Sequence, residues 1–430
     1  MTDLGKGIFR YDFGDEKNAA LRAKGERAAG ESAVSYFING PKLPNWSLGM
    51  QVSLELVKVA YSNLATKEPI TVESFDTNLI GKLNKPFRES ETSIDGMGGE
   101  YKRTTYLVDD PELIQNNIPE FENLTRQDLE SIEDSNSAPR SLYTEVVASD
   151  DIINSHSGSL GSALDLKPLS ENELILVHYH GGAYSRGSPG VYRGFALTLS
   201  KKTGVRVFTP SYRYAPENPF PACIYDGLIF FKHLLKCGFK PENIVVSGDS
   251  AGGNLAAVLL LLIKAENMVQ PRGCILYSPW VDLSYARPQS SHNAKYDFIP
   301  ASTIEYPGTS ARIYVAPGKP LDDNLRKLLN NPIVSPVYGD FSDCAPIYIQ
   351  AGEAEVLLYD IDYFAEHINC HPKIVLEGRT HPGFSNITER NIYESYVGMV
   401  HVFFLFGEAD EAHAAVDGVN NFLKRISGIL

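Results

Sequence analysis

Six short, nearly continuous apolar runs, alternating with helical stretches, constrain this chain more than any other feature. They read "LYTEVVA" (residues 142–148), "ELILVHYH" (173–180), "VRVFTPSY" (205–212), "NIVVSG" (243–248), "GCILYSPW" (273–280) and "PIYIQAGE" (346–353). Each is the length of a strand and apolar on both faces, which fits strands buried on both sides. Helical stretches at 221–237, 253–266 and 357–368 separate them, and residues 408–426 read as a closing helix. The grammar predicts an α/β protein with a mostly parallel central sheet covered by helices on both faces.

Before residue 139 the pattern differs. "NWSLGMQVSLELVKVAYSNL" places apolar residues three and four apart and predicts helix up to about Lys67. Residues 88–137 turn polar and acidic, as either a flexible insertion or a loosely packed helical lid. The expected division is a helical cap over 1–138 and a catalytic domain over 139–430. A second irregular, Pro-, Ser- and Asn-rich insertion at 285–330 is expected to add to the cap. Insertions after strand C-termini in such a sheet lie over the ligand crevice.

Composition narrows the partners. A formal charge of −14 repels nucleic acid and anionic membrane surfaces. The longest apolar run, 255–263, is too short to cross a bilayer, so no transmembrane segment is expected. The first residues lack the basic and apolar regions of a secretory signal. Five scattered cysteines (Cys223, Cys237, Cys274, Cys344, Cys370) suggest reduced thiols, and the expected location is cytoplasmic. Sequons at Asn45, Asn123 and Asn386 would matter only in a secreted protein. His367, Cys370 and His371 form an H-x-x-C-H cluster, but no further ligands accompany it, so no metal or cofactor is expected. A homodimer is left open.

The most informative stretch is "VVSGDSAGGNLAAVLLLLI", residues 245–263. A strand breaks into Gly248-Asp249-Ser250-Ala251-Gly252, and a helix follows at once. A turn that only reversed the chain would need one glycine. Several glycines around one serine fit a strained strand–turn–helix that lifts the hydroxyl above the sheet, with the Ala251 amide at the helix start. A tight phosphate-binding turn would also use these glycines. "HYHGGAY" (178–184) follows an earlier strand, and Gly181, Gly182 and Ala183 offer freely aimed backbone amides. The plainer reading of that pair is a tight turn. His180 reads as a residue that orients this loop.

The ordered set "HGGA", "SYRYAPENPFPA", "GDSAGG" and "SPWVDLS" resembles the hormone-sensitive-lipase-like branch of the α/β-hydrolase esterases, over roughly residues 140–430. The departure is Ala183, where many members carry a third glycine. The resemblance implies a serine carboxylesterase acting on a small-molecule ester. Ser250 would be the nucleophile, with Gly181, Gly182, Ala183 and Ala251 around the oxyanion. Tyr212, Arg213, Glu217 and Asp226 fall on a scaffolding motif. The family's acid pattern G-x-x-(D/E)-x-L falls on Glu355, with Glu353 second and Asp360 also nearby. For the base, the ending "GM-x-H" falls on His401, and "HPGF" at His381 resembles another ending of the same branch. An acyltransferase, an amide or acetyl-ester deacylase, or a small-molecule receptor on the same fold are the competing functions.

Overall fold

The computed structural model describes residues 19–62, 69–108, 140–156, 162–287 and 289–428. Residues 109–137 of the polar stretch and the Asn123 sequon lie outside them. The order begins with helices α1 (Ala19–Asn39), α2 (Leu48–Ser62) and α3 (Thr77–Arg88), then strands β1 (Gly99–Val108) and β2 (Arg140–Ser149) and helix α4 (Asp150–Ser155). Next come β3 (Ile175–Tyr179), α5 (Arg193–Thr203), β4 (Arg206–Pro210), α6 (Ala222–Lys236), β5 (Ile244–Asp249), α7 (Ala251–Ala265) and β6 (Gly273–Tyr277). The chain continues through α8 (Ser310–Val315), α9 (Asp323–Leu329), β7 (Ile347–Gly352), α10 (Leu358–His367), β8 (Lys373–Leu376), β9 (Ile392–Tyr396) and α11 (Asp410–Ile426).

The nine strands form one sheet in the order β1-β2-β4-β3-β5-β6-β7-β9-β8. The β1–β2 and β2–β4 pairs are antiparallel and the rest parallel. This is the α/β-hydrolase architecture expected from the sequence. The strands are apolar on both faces because both faces are covered. Ile244, Val246, Ile175 and Val177 pack into one layer with α6, α7 and α10. Val245 and Leu176 point the other way, into a layer built with α2, α5 and α11. Each such fully buried aliphatic side chain stabilises the fold by about 1.5–3 kcal/mol. Helix α7 is buried from Ala251 through Ile263, which accounts for its unbroken apolar sequence.

One strand escaped the sequence reading. β1 lies within the polar stretch 88–137 and pairs with β2 from Gly99↔Ser149 to Val108↔Arg140. The sheet therefore starts before residue 139, and the boundary expected at 138 falls between two paired strands. The physical reason is its edge position. Most β1 residues are exposed or half-exposed, and charges such as Lys102 and Arg103 suit an edge that must not pair further. The insertion at 285–330 also holds two short helices, α8 and α9.

Candidate active site

Ser250 sits between the last residue of β5 and the first of α7, at φ 52° and ψ −118°. An L-residue at positive φ costs about 1–2 kcal/mol, so the surroundings must hold it there. They do so through the backbone. The Ser250 amide donates to Tyr277 O (3.0 Å), and its carbonyl accepts from Asn254 N (3.0 Å) and Trp280 N (2.9 Å). The glycines answer to crowding. A Cβ on Gly252 would lie 1.9 Å from Tyr179 O, and one on Gly248 would lie 2.2 Å from Gly252 O. No side chain fits at either position.

The loop after β3 approaches this turn. Asp249, buried beside the serine, accepts from the Gly181 amide (2.9 Å) and the Tyr192 hydroxyl (2.7 Å), with His178 Nε2 at 3.2 Å. The Gly181 amide is thereby spent on Asp249, so it is not offered to the cavity, unlike the expectation for this glycine. The Gly182, Ala183 and Ala251 amides donate to no protein acceptor among the described residues. Gly182, Ala183 and Tyr184 all have positive φ (118°, 53° and 57°), which turns this stretch sharply. Tyr184 anchors it by donating to Asn254 Oδ1 (2.6 Å) and stacking on Tyr314 at 4.0 Å. His180 is buried behind the loop, with Nδ1 2.8 Å from Gly181 O, and its ring stacks on Tyr212. Burial pushes its pKa down to about 4, which keeps the ring neutral.

On the far side of the sheet's carboxyl edge, His401 Nδ1 lies 2.8 Å from Glu355 Oε2. Glu355 Oε1 accepts from the Gly352 amide at 2.8 Å, which fixes the carboxylate. The loop carrying His401 is held by Trp46 Nε1 donating to Gly398 O (2.7 Å) and Val402 N donating to Ser278 Oγ (3.0 Å). Burial works against a charged His401 ring, yet the hydrogen bond and charge of Glu355, with Asp297 and Asp249 behind them, outweigh it. Its pKa is raised. His381 is elsewhere: its Nε2 lies 2.6 Å from Glu394 Oε1, in a buried polar group with Tyr348 and Tyr396, outside the cavity. Glu353 and Asp360 also stand apart from His401. Asp360 lies 3.9 Å from Arg287, and burial with the charge of Asp282 pushes it up to about 7.

Three residues in this region gave no sequence signal. Asp249 is one, hidden as the variable position of G-x-S-x-G. Asp297, from the 285–330 insertion, is another: it accepts from the Phe298 and Val356 amides (both 2.8 Å) and the His401 amide (3.3 Å). Burial raises its pKa to about 6, against the pull of His401 and its N–H donors. Arg186 is the third, on the wall of the cavity.

Ser250 and His401 share a cavity of about 570 Å³. Gly182, Ala183 and Asp249 line it beside Ser250 in the sequence motifs; Val57 and Phe87 from the N-terminal helices and Phe298 and Ile299 from the insertion add apolar lining. Tyr212, Arg213, Glu217 and Asp226 do not line it. Asp226 instead pairs with Arg140 (2.7 Å) and Arg213 (2.8 Å), and Glu217 with Arg88 (2.9 Å). His367 bonds the Gly339 carbonyl (3.0 Å), and no group of three possible metal ligands comes together among the described residues. None of the described helices is long and apolar enough to cross a membrane.

Comparison with known proteins follows the same lines. Residues 176–381 match a family described as the alpha/beta hydrolase fold. An esterase of Acinetobacter venetianus is 33% identical over 202 residues, covering 47% of this chain and 63% of the relative. An acetyl-hydrolase of Streptomyces hygroscopicus is 32% identical over 193 residues, covering 45% of this chain and 60% of that protein. The chain thus spans about six-tenths of the length of these curated relatives. The crystal structure of a hormone-sensitive lipase from a metagenome library superimposes with a TM-score of 0.55 at 22% identity, over 87% of this chain and 97% of that one, which shows the shared fold. The chain thus has the α/β-hydrolase fold, and its ordered motifs and relatives are similar to those of the hormone-sensitive-lipase-like branch.

Proposed function

We propose that the protein is a serine-dependent carboxylic ester hydrolase, with Ser250 as nucleophile, His401 as general base and Glu355 as its partner. The observation that carries this reading is the 2.8 Å contact between His401 and Glu355 on the wall of the cavity that Ser250 lines. In this reading His401 takes the hydroxyl proton as Ser250 Oγ attacks the ester carbonyl. Glu355 holds Nδ1–H, so that Nε2 faces the serine and the imidazolium formed is stabilised. The Gly182, Ala183 and Ala251 amides receive the oxyanion. The tetrahedral adduct collapses, the alcohol leaves with the proton from His401, and water then enters by the same route to release the acid.

The N-terminal helices and the 285–330 insertion act as a cap in this proposal, since both supply cavity wall. A walled cavity of about 570 Å³ favours short- to medium-chain acyl esters in solution over emulsified triglycerides. The Streptomyces relative named an acetyl-hydrolase supports a small acyl group.

The test is a panel of p-nitrophenyl esters graded by acyl length on purified protein, with a fluorophosphonate probe mapped by peptide mass. Turnover falling off at long acyl chains, and a label on Ser250, are expected. Absence of both turnover and label would overturn the proposal, and sharp activation at an oil–water interface would overturn the substrate range.

A further inference from the structure

The cavity's ionisable wall groups, tyrosines aside, are Lys58, Glu91, Arg186, Asp249 and His401. Four already have partners. Glu91 is engaged by Arg103 (2.5 Å) and Arg193 (3.2 Å). Asp249 is taken by the Tyr192 hydroxyl and the Gly181 amide, and His401 by Glu355. Lys58 has Glu55 at 3.7 Å and donates to the Lys295 carbonyl at 3.3 Å.

Arg186 is different. It stands on the same loop as Gly182 and Ala183, with its amide donating to Gly182 O at 2.9 Å. Its guanidinium lies over the Tyr61 ring, 5.4 Å from the centroid. Its polar contacts are two hydroxyls at 3.4 Å, Ser185 Oγ and Ser310 Oγ. Among the described residues no carboxylate comes within ion-pair distance of it. A half-buried guanidinium presents a planar fork of donors that carboxylates match with two parallel bonds. Neutral hydroxyls at long range leave most of that capacity unused. The chain's charge of −14 gives an anion no help at a distance, so its recognition falls to a local donor.

We infer that Arg186 is an anion-binding group of this cavity and that the preferred ester carries a carboxylate, positioned by the Arg186 fork while its carbonyl meets Ser250. The inference rests on the hydrolase reading and names its substrate class: half-esters of dicarboxylic acids, or esters of acidic alcohols. The shared chemistry is one negative charge on an otherwise apolar ester, which suits a cavity with Val57 and Phe298 on its apolar wall.

Two matched pairs test it, each corrected for its rate in buffer. With the charge on the acyl side, mono(4-nitrophenyl) adipate is compared with 4-nitrophenyl hexanoate; with the charge on the alcohol side, 4-butyryloxybenzoate is compared with phenyl butyrate. The protein is expected to favour at least one acidic member over its neutral partner by about 10- to 100-fold in kcat/KM. Which pair shows the preference tells which side of the ester Arg186 meets. In Arg186→Gln that ratio collapses towards one, and Arg186→Lys keeps part of it. A ratio within one preparation is independent of how much protein folds. Equal or slower turnover of both acidic esters, or a preference that survives in Arg186→Gln, overturns the inference alone. No turnover of any of the four overturns the hydrolase reading and this inference with it.

Discussion

His381 and Glu394 face each other at 2.6 Å in the protein interior, beneath α11 and outside the cavity that His401 lines. Each of the two competing histidines therefore has its own glutamate, and the two pairs predict different losses. His401→Ala is expected to abolish ester turnover, by about 1,000-fold or more, and to lower the unfolding midpoint as well, since it strands the buried Glu355. His381→Ala should keep most of the turnover but cost about 3 kcal/mol, because it leaves Glu394 buried without its partner. Paired kinetics and denaturant titrations of the two variants check this. The reverse pattern would remove His401 from the mechanism.

In the proposed mechanism Ser250 combines chemistry with backbone strain. Ser250→Ala should lose nearly all turnover on p-nitrophenyl butyrate and still fold, since the elbow is held by backbone contacts to Tyr277, Asn254 and Trp280. Ser250→Gly should be equally inactive but about 1–2 kcal/mol more stable than the alanine variant, because glycine accepts a φ of 52° without penalty. Chemical denaturation of the two inactive proteins measures the difference. Equal midpoints would mean that the elbow stores no strain.

The neighbouring glycine is steric. Gly252→Ala places a methyl 1.9 Å from the Tyr179 carbonyl oxygen, which is backbone and cannot swing aside. The expected outcome is a loss of about 3 kcal/mol or more, read as a lowered melting temperature or insoluble protein. Wild-type stability in this variant would contradict the close approach of β3 to α7.

Asp297 predicts a pH effect. Its charge helps to raise the His401 pKa, and the base of the proposed mechanism must be neutral to act, so the acid limb of kcat/KM should lie above the ordinary histidine value near 6.5. Asp297→Asn removes that charge and should move the acid limb to lower pH, while Asn Oδ1 still accepts an amide. Stability runs the other way. Folding raises Asp297 from 3.8 to about 6, so its contribution is complete below 3.8 and is lost as pH rises to about 6. His401, also raised, loses its contribution as pH climbs from 6.5 through its folded value. The difference in melting temperature between the native protein and Asp297→Asn, followed from pH 4 to 7, should shift against the native protein as pH rises. An unmoved acid limb would show that Asp297 does not act on the base.

What could be read from the sequence was what short-range physics encodes. The β5–Ser250–α7 unit is contiguous, its strand and helix are apolar throughout, and its glycines meet backbone that lies close by. β1 was not legible, because an edge strand with exposed Lys102 and Arg103 looks like any polar segment. Asp297, Arg186 and Asp249 were invisible for another reason. Their meaning comes from partners far along the chain: Val356, Tyr61 and Gly181 respectively. The strand order β7-β9-β8 was not readable either, since nothing in "KIVL" says that it lies outside the strand that follows it.

That strand order separates two kinds of distance. Glu355 and His401 are 46 positions apart along the chain, yet they meet because Gly352 on β7 lies in register with Tyr396 on β9. Everything threaded through α10, β8 and residues 377–391 lies outside the β7–β9 pair and returns to it. A change of length in the 377–391 connection is expected to leave the 2.8 Å contact in place, provided that His381 keeps Glu394 and Arg425 keeps the carbonyls of Phe384, Ile387 and Glu389. The Glu355–His401 pair, the acid and base of the proposed mechanism, is thereby insulated from the length of the segment between its members.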